Sequence, residues 1–168
     1  MSAGHAPQQL SDNAELVRSI FARLNEHDLD AVFPYWTERT VERFPDRTVH
    51  GATEIAAYFQ ELFRALPDWH IEIIALAADG ENVLVRWQLT GTHRGELLGL
   101  APTGKRINIE GVDHFVIRDG KIVANTVIVD QLEYARQLGM MPPAGSALER
   151  AMKSAMNVRT ALAERLTR

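Results

Sequence analysis

The feature that most constrains this chain is a change of hydrophobic period at Trp69. Upstream, apolar residues recur at helical spacing: Leu16, Val17, Ile20, Phe21 and Leu24, then Ile55, Ala56, Phe59, Leu62, Phe63 and Leu66. Downstream they alternate, the signature of strands with one buried face. Four strands are predicted, over 69–77, 82–93, 105–118 and 121–131. Asp79-Gly80 joins the first pair and Asp119-Gly120 the last, and Asp-Gly is a preferred filling of tight hairpin turns. Pro102-Thr103-Gly104 turns the chain between the middle strands. Helices and then an antiparallel meander make an α+β fold, with the helices segregated to one side of a curved sheet.

The rest of the chain is fitted around that pattern. Residues 1–11 are expected to be a frayed tail, with Asp12 or Asn13 capping the first helix. A short second helix over 29–36 contains Pro34, and an irregular strand over 40–49 is interrupted by Pro45 and Asp46. Thr53 is a plausible cap for the third helix, which Pro67 and Asp68 stop. Beyond the last strand, helical turns over 132–138 end at Gly139. Pro142 and Pro143 then break the chain, and Ser146 can cap a final helix. The organisation is one domain over 12–143 with a helical extension over 144–168. The extension carries Leu148, Met152, Ala155, Met156, Leu162 and Leu166 along one side, a stripe expected to pack on its own domain or on a second copy.

Composition excludes several classes. The 168 residues carry 18 Lys plus Arg against 22 Asp plus Glu, for a net charge of -4. No basic stripe exists to neutralise a phosphate backbone, so no nucleic-acid partner is expected. No apolar run approaches the roughly 20 residues of a membrane span. The first residues have neither a basic start nor an apolar stretch, so a cytoplasmic location is the default. Cysteine is absent, which removes disulfides, thiolate metal sites and a Cys nucleophile. There is no HExxH-type cluster and no glycine-rich phosphate loop, so neither a metal nor a cofactor is expected.

Three side chains stand out as chemistry. Alternation along 105–118 puts Asp113 on the face of Ile107, Ile109, Gly111, Phe115 and Ile117. A lone carboxylate there is protonated or hydrogen-bonded, because burial penalises its charge. A neutral Asp in such a place can donate to a carbonyl oxygen as negative charge develops; alternatively it only bonds a neighbouring backbone group or a Tyr. Asp130 closes the apolar run Val127-Ile128-Val129 and suits either general acid–base work at a cavity rim or capping of the next helix. His93 is an acid–base candidate by virtue of its pKa near neutrality, or a residue that simply bonds at a strand end. A helix layer over a curved sheet permits a cavity, which the apolar side chains Trp36, Phe59, Phe63, Trp87, Phe115 and Ile128 are expected to line.

The run from Gly91-Thr92-His93 through Gly95, Gly99 and Pro102-Thr103-Gly104-Lys105 resembles the GTHxGxxxGxxPTGK segment of SnoaL-like polyketide cyclases. Asp119-Gly120-Lys121-Ile122-Val123, Asp130 and Arg136-Gln137-Leu138-Gly139 are similar to that family's DGKIV…D…RQLG ending. The likeness spans roughly residues 12 to 143. It implies a cone-shaped α+β barrel of the nuclear-transport-factor-two-like superfamily, with a deep apolar pocket and a homodimer. It also implies that Asp130 stands where the cyclases keep the acid/base for aldol ring closure, with His93 as the available pocket histidine. Val112-Asp113-His114-Phe115 is similar to a ketosteroid-isomerase segment whose Asp is a protonated oxyanion donor. The isomerase base would fall near Arg43 and its Tyr near Ile20, so steroid isomerisation is not implied. The Arg-x-Asp pair of limonene-epoxide-hydrolase-like enzymes would fall near Trp87 and Leu89, which disfavours that activity.

Together these point to a cofactor-free enzyme acting through an enolate on a small, apolar, polyketide- or terpenoid-like carbonyl compound. Asp130 would exchange the proton, with Asp113 or His93 on the enolate oxygen. The competing expectation is a non-catalytic binding module built on the same cone.

Overall fold

The structure, a computed structural model, describes residues 6–166, and the side-chain surroundings of residues 12–163. The frayed tail lies partly outside the described residues. Where it is described, it differs: helix α1 (Ala6–Asn25) already starts at Ala6. Pro7 falls in the first turn, where a missing N–H costs nothing. Asn13 is therefore not a cap but a buried residue within the helix, donating to the Gly80 carbonyl at 3.1 Å. At the other end Asn25 clamps the sheet, donating to the Ile71 carbonyl at 2.8 Å and accepting its N–H at 2.7 Å.

Asp28 caps the short α2 (Leu29–Val32) by accepting from the Ala31 N–H. Pro34 confines the remainder of that helical stretch to a single 3-10 turn, Phe33–Tyr35. Pro45 and Asp46 divide the irregular strand into β1 (Val41–Arg43) and β2 (Thr48–His50). Helix α3 (Gly51–Ala65) begins two residues before Thr53 and has no side-chain cap. Instead the His50 N–H donates to the Glu54 carboxylate at 2.9 Å.

The four long strands are β3 (His70–Asp79), β4 (Asn82–Thr92), β5 (Arg106–Arg118) and β6 (Lys121–Val129). Asp119 and Gly120 both adopt positive φ, as a tight hairpin turn demands, whereas in the first hairpin only Gly80 does. The sheet order is β2-β1-β6-β5-β4-β3. All pairs are antiparallel except β1 on β6, which is parallel, with Glu42 in register with Asn125. The sheet is thus mixed, where the sequence pattern predicts only an antiparallel meander.

Inward-facing Val83, Val85, Ile107 and Ile117 join Val17, Ile20 and Phe21 of α1 and Ile55 of α3 in one core. Phe21 meets Phe115 edge-on, with centroids 6.3 Å apart. At about 25 cal/mol per Å² of buried apolar surface, this layer-on-sheet contact is the main force holding the helices in place.

Helix α4 (Gln131–Leu138) ends at Gly139, which takes the left-handed conformation at φ 85°. Ser146 accepts from the Glu149 N–H at 3.1 Å and opens α5 (Ala147–Leu166). The expected packing of the α5 stripe onto its own domain is not found: Leu148, Met156 and Leu162 are all exposed. What ties the helix down is buried Glu149, which binds Arg136 at 2.9 Å, Lys153 at 3.1 Å and the Gly145 N–H at 2.7 Å. Among the described residues, no helix is long and apolar enough to cross a membrane.

Candidate functional site

Between α1, α3, α4 and the inner face of the sheet lies a cavity of about 270 Å³. Phe21, Leu24, Phe59, Trp87, Ile109 and Val127 make up much of its apolar wall. The exposed lining residues Asp46, Leu98, Gln131 and Met140 mark its rim. In the apolar wall stands one buried carboxyl, that of Asp113.

Its setting is dictated by the register of the strands. Trp87 on β4 lies directly opposite Gly111 on β5, two residues before Asp113 on the same face. A Cβ on Gly111 would overlap the Trp87 ring. The missing side chain is what lets the indole lie across β5 and donate its Nε1–H to Asp113 Oδ1 at 2.8 Å. From β6, Asn125 sits diagonally across from Asp113 and donates Nδ2–H to Oδ2 at 3.1 Å.

Behind Asn125 is a second buried acid, Glu42. It accepts the Trp36 indole N–H on Oε1 at 2.7 Å, and the Asn125 amide lies 3.5 Å from Oε2. Glu42 is 2% exposed and Asp113 7% exposed. Burial pushes the Asp113 carboxyl up to about 6, against the pull of its Trp87 and Asn125 hydrogen bonds. Burial, then the negative charge of Asp113, pushes Glu42 up to about 8. Burial thus raises both carboxyls, and Glu42 the more, so of the two it is Glu42 that favours its proton.

Nearer the rim are two phenols. Tyr58 donates to Asp46 Oδ1 at 2.8 Å. Tyr134 lines the cavity with no hydrogen-bond partner for its hydroxyl among the described residues. Burial, and after it the charge of Asp46, holds both phenols above their usual range, so both stay protonated.

The structure brings three of the sequence-predicted residues, Asp113, Phe59 and Trp87, onto the cavity wall. The other six lie elsewhere. Trp36 and Phe115 are buried behind the wall, and Phe63 stacks on His27 with centroids 4.1 Å apart. Ile128 is 64% exposed on the outer face of the sheet, because it alternates with the inward Val127 and Val129. His93 is buried outside the cavity. Its Nδ1 accepts the Thr103 N–H at 3.2 Å and lies 3.0 Å from the Thr103 hydroxyl, closing the 93–105 loop. Burial lowers its pKa, which keeps the ring neutral. Asp130 is exposed and accepts the Glu133 N–H at 2.9 Å, capping α4.

Sequence inspection misses Glu42, Asn125 and Tyr134. Glu42 lies in the charged run Glu38-Arg39-Thr40-Val41-Glu42-Arg43, where nothing local marks it as buried. Among the described residues, no group of three or more His, Asp or Glu is arranged to hold a metal ion.

Known proteins resemble this chain in sequence and in fold. Residues 14–138 match the model of the SnoaL-like polyketide cyclase family. The aklanonic acid methyl ester cyclase DnrD of Streptomyces peucetius is 30% identical over 136 residues, covering 77% of this chain and 92% of the relative. DauD of Streptomyces sp. strain C5, also an aklanonic acid methyl ester cyclase, is 30% identical over 136 residues, covering 77% and 83%. Among solved structures, AclR of Streptomyces galilaeus superposes with a TM-score of 0.72 at 23% identity, covering 95% of this chain and 99% of its own. TsrD of Streptomyces laurentii gives 0.71 at 22% identity, covering 78% and 97%. With its family segment folded around an apolar cavity that holds a buried acid, this chain belongs to the SnoaL-like polyketide cyclase family.

Proposed function

We propose that the protein is a cofactor-free cyclase that closes a ring in a small, apolar, polyketide-like carbonyl compound, with Asp113 as the proton-transferring group. The observation that carries this is the buried carboxyl in the apolar wall, held by two neutral donors. Burial pushes it up to about 6, a range suited to taking and returning a proton near neutral pH. In an aldol closure, Asp113 takes the proton α to one carbonyl. The enolate carbon then attacks a second carbonyl of the same molecule, forming the carbon–carbon bond. Finally the proton on Asp113 returns to the new alkoxide oxygen, so no oxidant or cofactor is consumed. Tyr134, protonated and unpartnered at the cavity, is the donor available to the developing oxyanion. Apolar walls exclude water that would compete for the enolate.

This moves the base from Asp130, which the family resemblance suggests, to Asp113. Capping α4 from the solvent side leaves Asp130 out of the cavity wall. The test is turnover of aklanonic acid methyl ester and related esters by wild type, Asp113→Asn and Asp130→Asn. Asn retains helix-capping ability at 130, so folding is preserved there. We expect loss of turnover by at least 100-fold with Asp113→Asn and little change with Asp130→Asn, as removal of a general base costs roughly 10²–10⁴. The wild-type rate should fall on the acid side of about pH 6, where Asp113 takes up its proton. The reverse pattern between the two variants would return the role to Asp130. Binding of phenolic enolate mimics without turnover of any ester would favour a carrier. The homodimer implied by the resemblance is part of this proposal, and light scattering on the eluting peak tests it.

A further inference from the structure

Glu42 has no part in the proton transfer proposed for Asp113, yet it is the more deeply buried of the two acids. Such a group is costly to keep and calls for a reason. It does not line the cavity, so it touches no ligand. What it touches is Trp36 and, of the two residues that hold Asp113, Asn125. Asn125 offers its one amide nitrogen to both carboxyls, at 3.1 Å from Asp113 and 3.5 Å from Glu42. The far oxygen of Glu42 is pinned by the Trp36 indole at 2.7 Å.

The charged and titratable surroundings are few. β5 presents Asp113, β6 presents Asn125, β4 presents Val85 and Trp87, and the 3-10 turn leads into Trp36. At the cavity, α3 contributes Tyr58, α4 contributes Tyr134, and Asp46 stands at the rim, paired with Arg47 at 3.3 Å. Among the described residues, no Arg, Lys or His forms an ion pair with Glu42 or Asp113. Two buried carboxyls that share one neutral donor and no cation hold one negative charge between them, not two. The Asn125 carbonyl oxygen is itself buried with no partner among the described residues. Glu42 stands beside the same amide, 3.5 Å from its nitrogen, and a proton on its carboxyl is the kind of donor that this oxygen lacks.

We propose that Glu42 is a positioning residue that acts as a neutral acid: through Asn125 it holds the amide N–H on Asp113 Oδ2, fixing the direction and proton affinity of the cavity carboxylate. The inference rests on the role proposed for Asp113, but its test does not need turnover. A proton-bearing Glu42 and a Gln are nearly the same shape and both neutral, so Gln should replace it. Ala should not, because Asn125 then loses its anchor and Asp113 loses a donor that favours its charged form.

The experiment is a carboxyl carbon NMR titration of protein labelled at Asp and Glu, in wild type, Glu42→Gln, Glu42→Ala and Asn125→Ala. Wild type should show one Glu still protonated at pH 7, absent from both Glu42 variants, and an Asp titrating near 6. Glu42→Gln should leave that Asp midpoint within about 0.3 unit. Glu42→Ala and Asn125→Ala should each weaken its acidity about tenfold, and their combination should add nothing further. An ionised Glu42 at pH 7 overturns the proposal, and needs no variant to fold. So does a Gln variant that behaves like the Ala variant, or an Ala variant that leaves Asp113 unmoved. A titration as expected alongside no turnover of any ester would sink the cyclase proposal and leave this one standing.

Discussion

Replacing Glu42 with Gln should make the protein more stable at alkaline pH and leave it nearly unchanged in mild acid. Glu42 binds its proton far more tightly folded, at about 8, than its ordinary 4.5. A group whose folded pKa is raised adds nothing unfavourable below its unfolded value. From there to about pH 8, each pH unit lowers the unfolding free energy, since the folded chain holds a proton that the unfolded chain releases. The rise from 4.5 to about 8, at about 1.36 kcal/mol per unit, sets a ceiling on the order of 5 kcal/mol. Local opening that wets the carboxylate relieves part of this, so a gain of a few kcal/mol is expected for Glu42→Gln at pH 8.5. That is a large share of the roughly 5–15 kcal/mol typical of a domain. Urea unfolding of both proteins at pH 4.5 and 8.5 measures it, and the other carboxyls cancel in the difference. Parallel stability curves would refute the reasoning, because a Glu42 indifferent to pH is not a buried, uncompensated acid.

The same contacts predict the outcome of other substitutions. Gly111→Ala drives a methyl group into the Trp87 ring and the Ile128 carbonyl, and overpacking of this kind costs about 1–3 kcal/mol; the urea midpoint should fall and the Asp113 midpoint should rise as the indole is displaced. Asn25→Ala strips both the donor and the acceptor from the Ile71 backbone, a loss of about 1–3 kcal/mol by urea unfolding, with faster amide exchange at the start of β3. Glu149→Ala releases Arg136, Lys153 and the Gly145 amide together, so limited proteolysis should cut between α4 and α5 in the variant before wild type. Since those partners hold the Glu149 carboxyl down to about 2, wild type should keep this protection in mild acid and lose it only as the pH falls toward that value.

Asp113 is visible in the sequence because β5 is long. Alternation over the 13 residues of that strand leaves no doubt which face is apolar, and a carboxylate on that face stands out. Asp130 is equally readable as a cap, from its place between an apolar strand and a helical run. Glu42 is invisible for the converse reason. Its strand has three residues, too few for a period, and it is buried only by pairing with a strand far along the chain. Ile128 is misplaced by an unbroken Val-Ile-Val run, in which hydrophobicity alone does not say which residue faces out. The cavity-wall residues Trp87, Leu89 and Ile109 each obey simple alternation on β4 and β5, yet a cavity is a gap between elements and has no signature in any one of them.

The parallel joint between β1 and β6 ties together Thr40 and Ile122, 82 positions apart, through a 2.6 Å hydrogen bond. Strands β3 to β6 are joined by connections far shorter than that span and can find one another locally. Closing the longer span costs chain entropy before any contact rewards it. Until β1 docks, Glu42 is an ordinary wet carboxylate. Docking dries it, and at neutral pH the chain must take up a proton from solvent to complete the step. The acidity of the cavity is thus a product of chain topology as much as of residue identity. A circular permutant opened beside β1 would keep every residue of the site, yet its long-range closure, and with it the moment of proton uptake, would be set by a different loop.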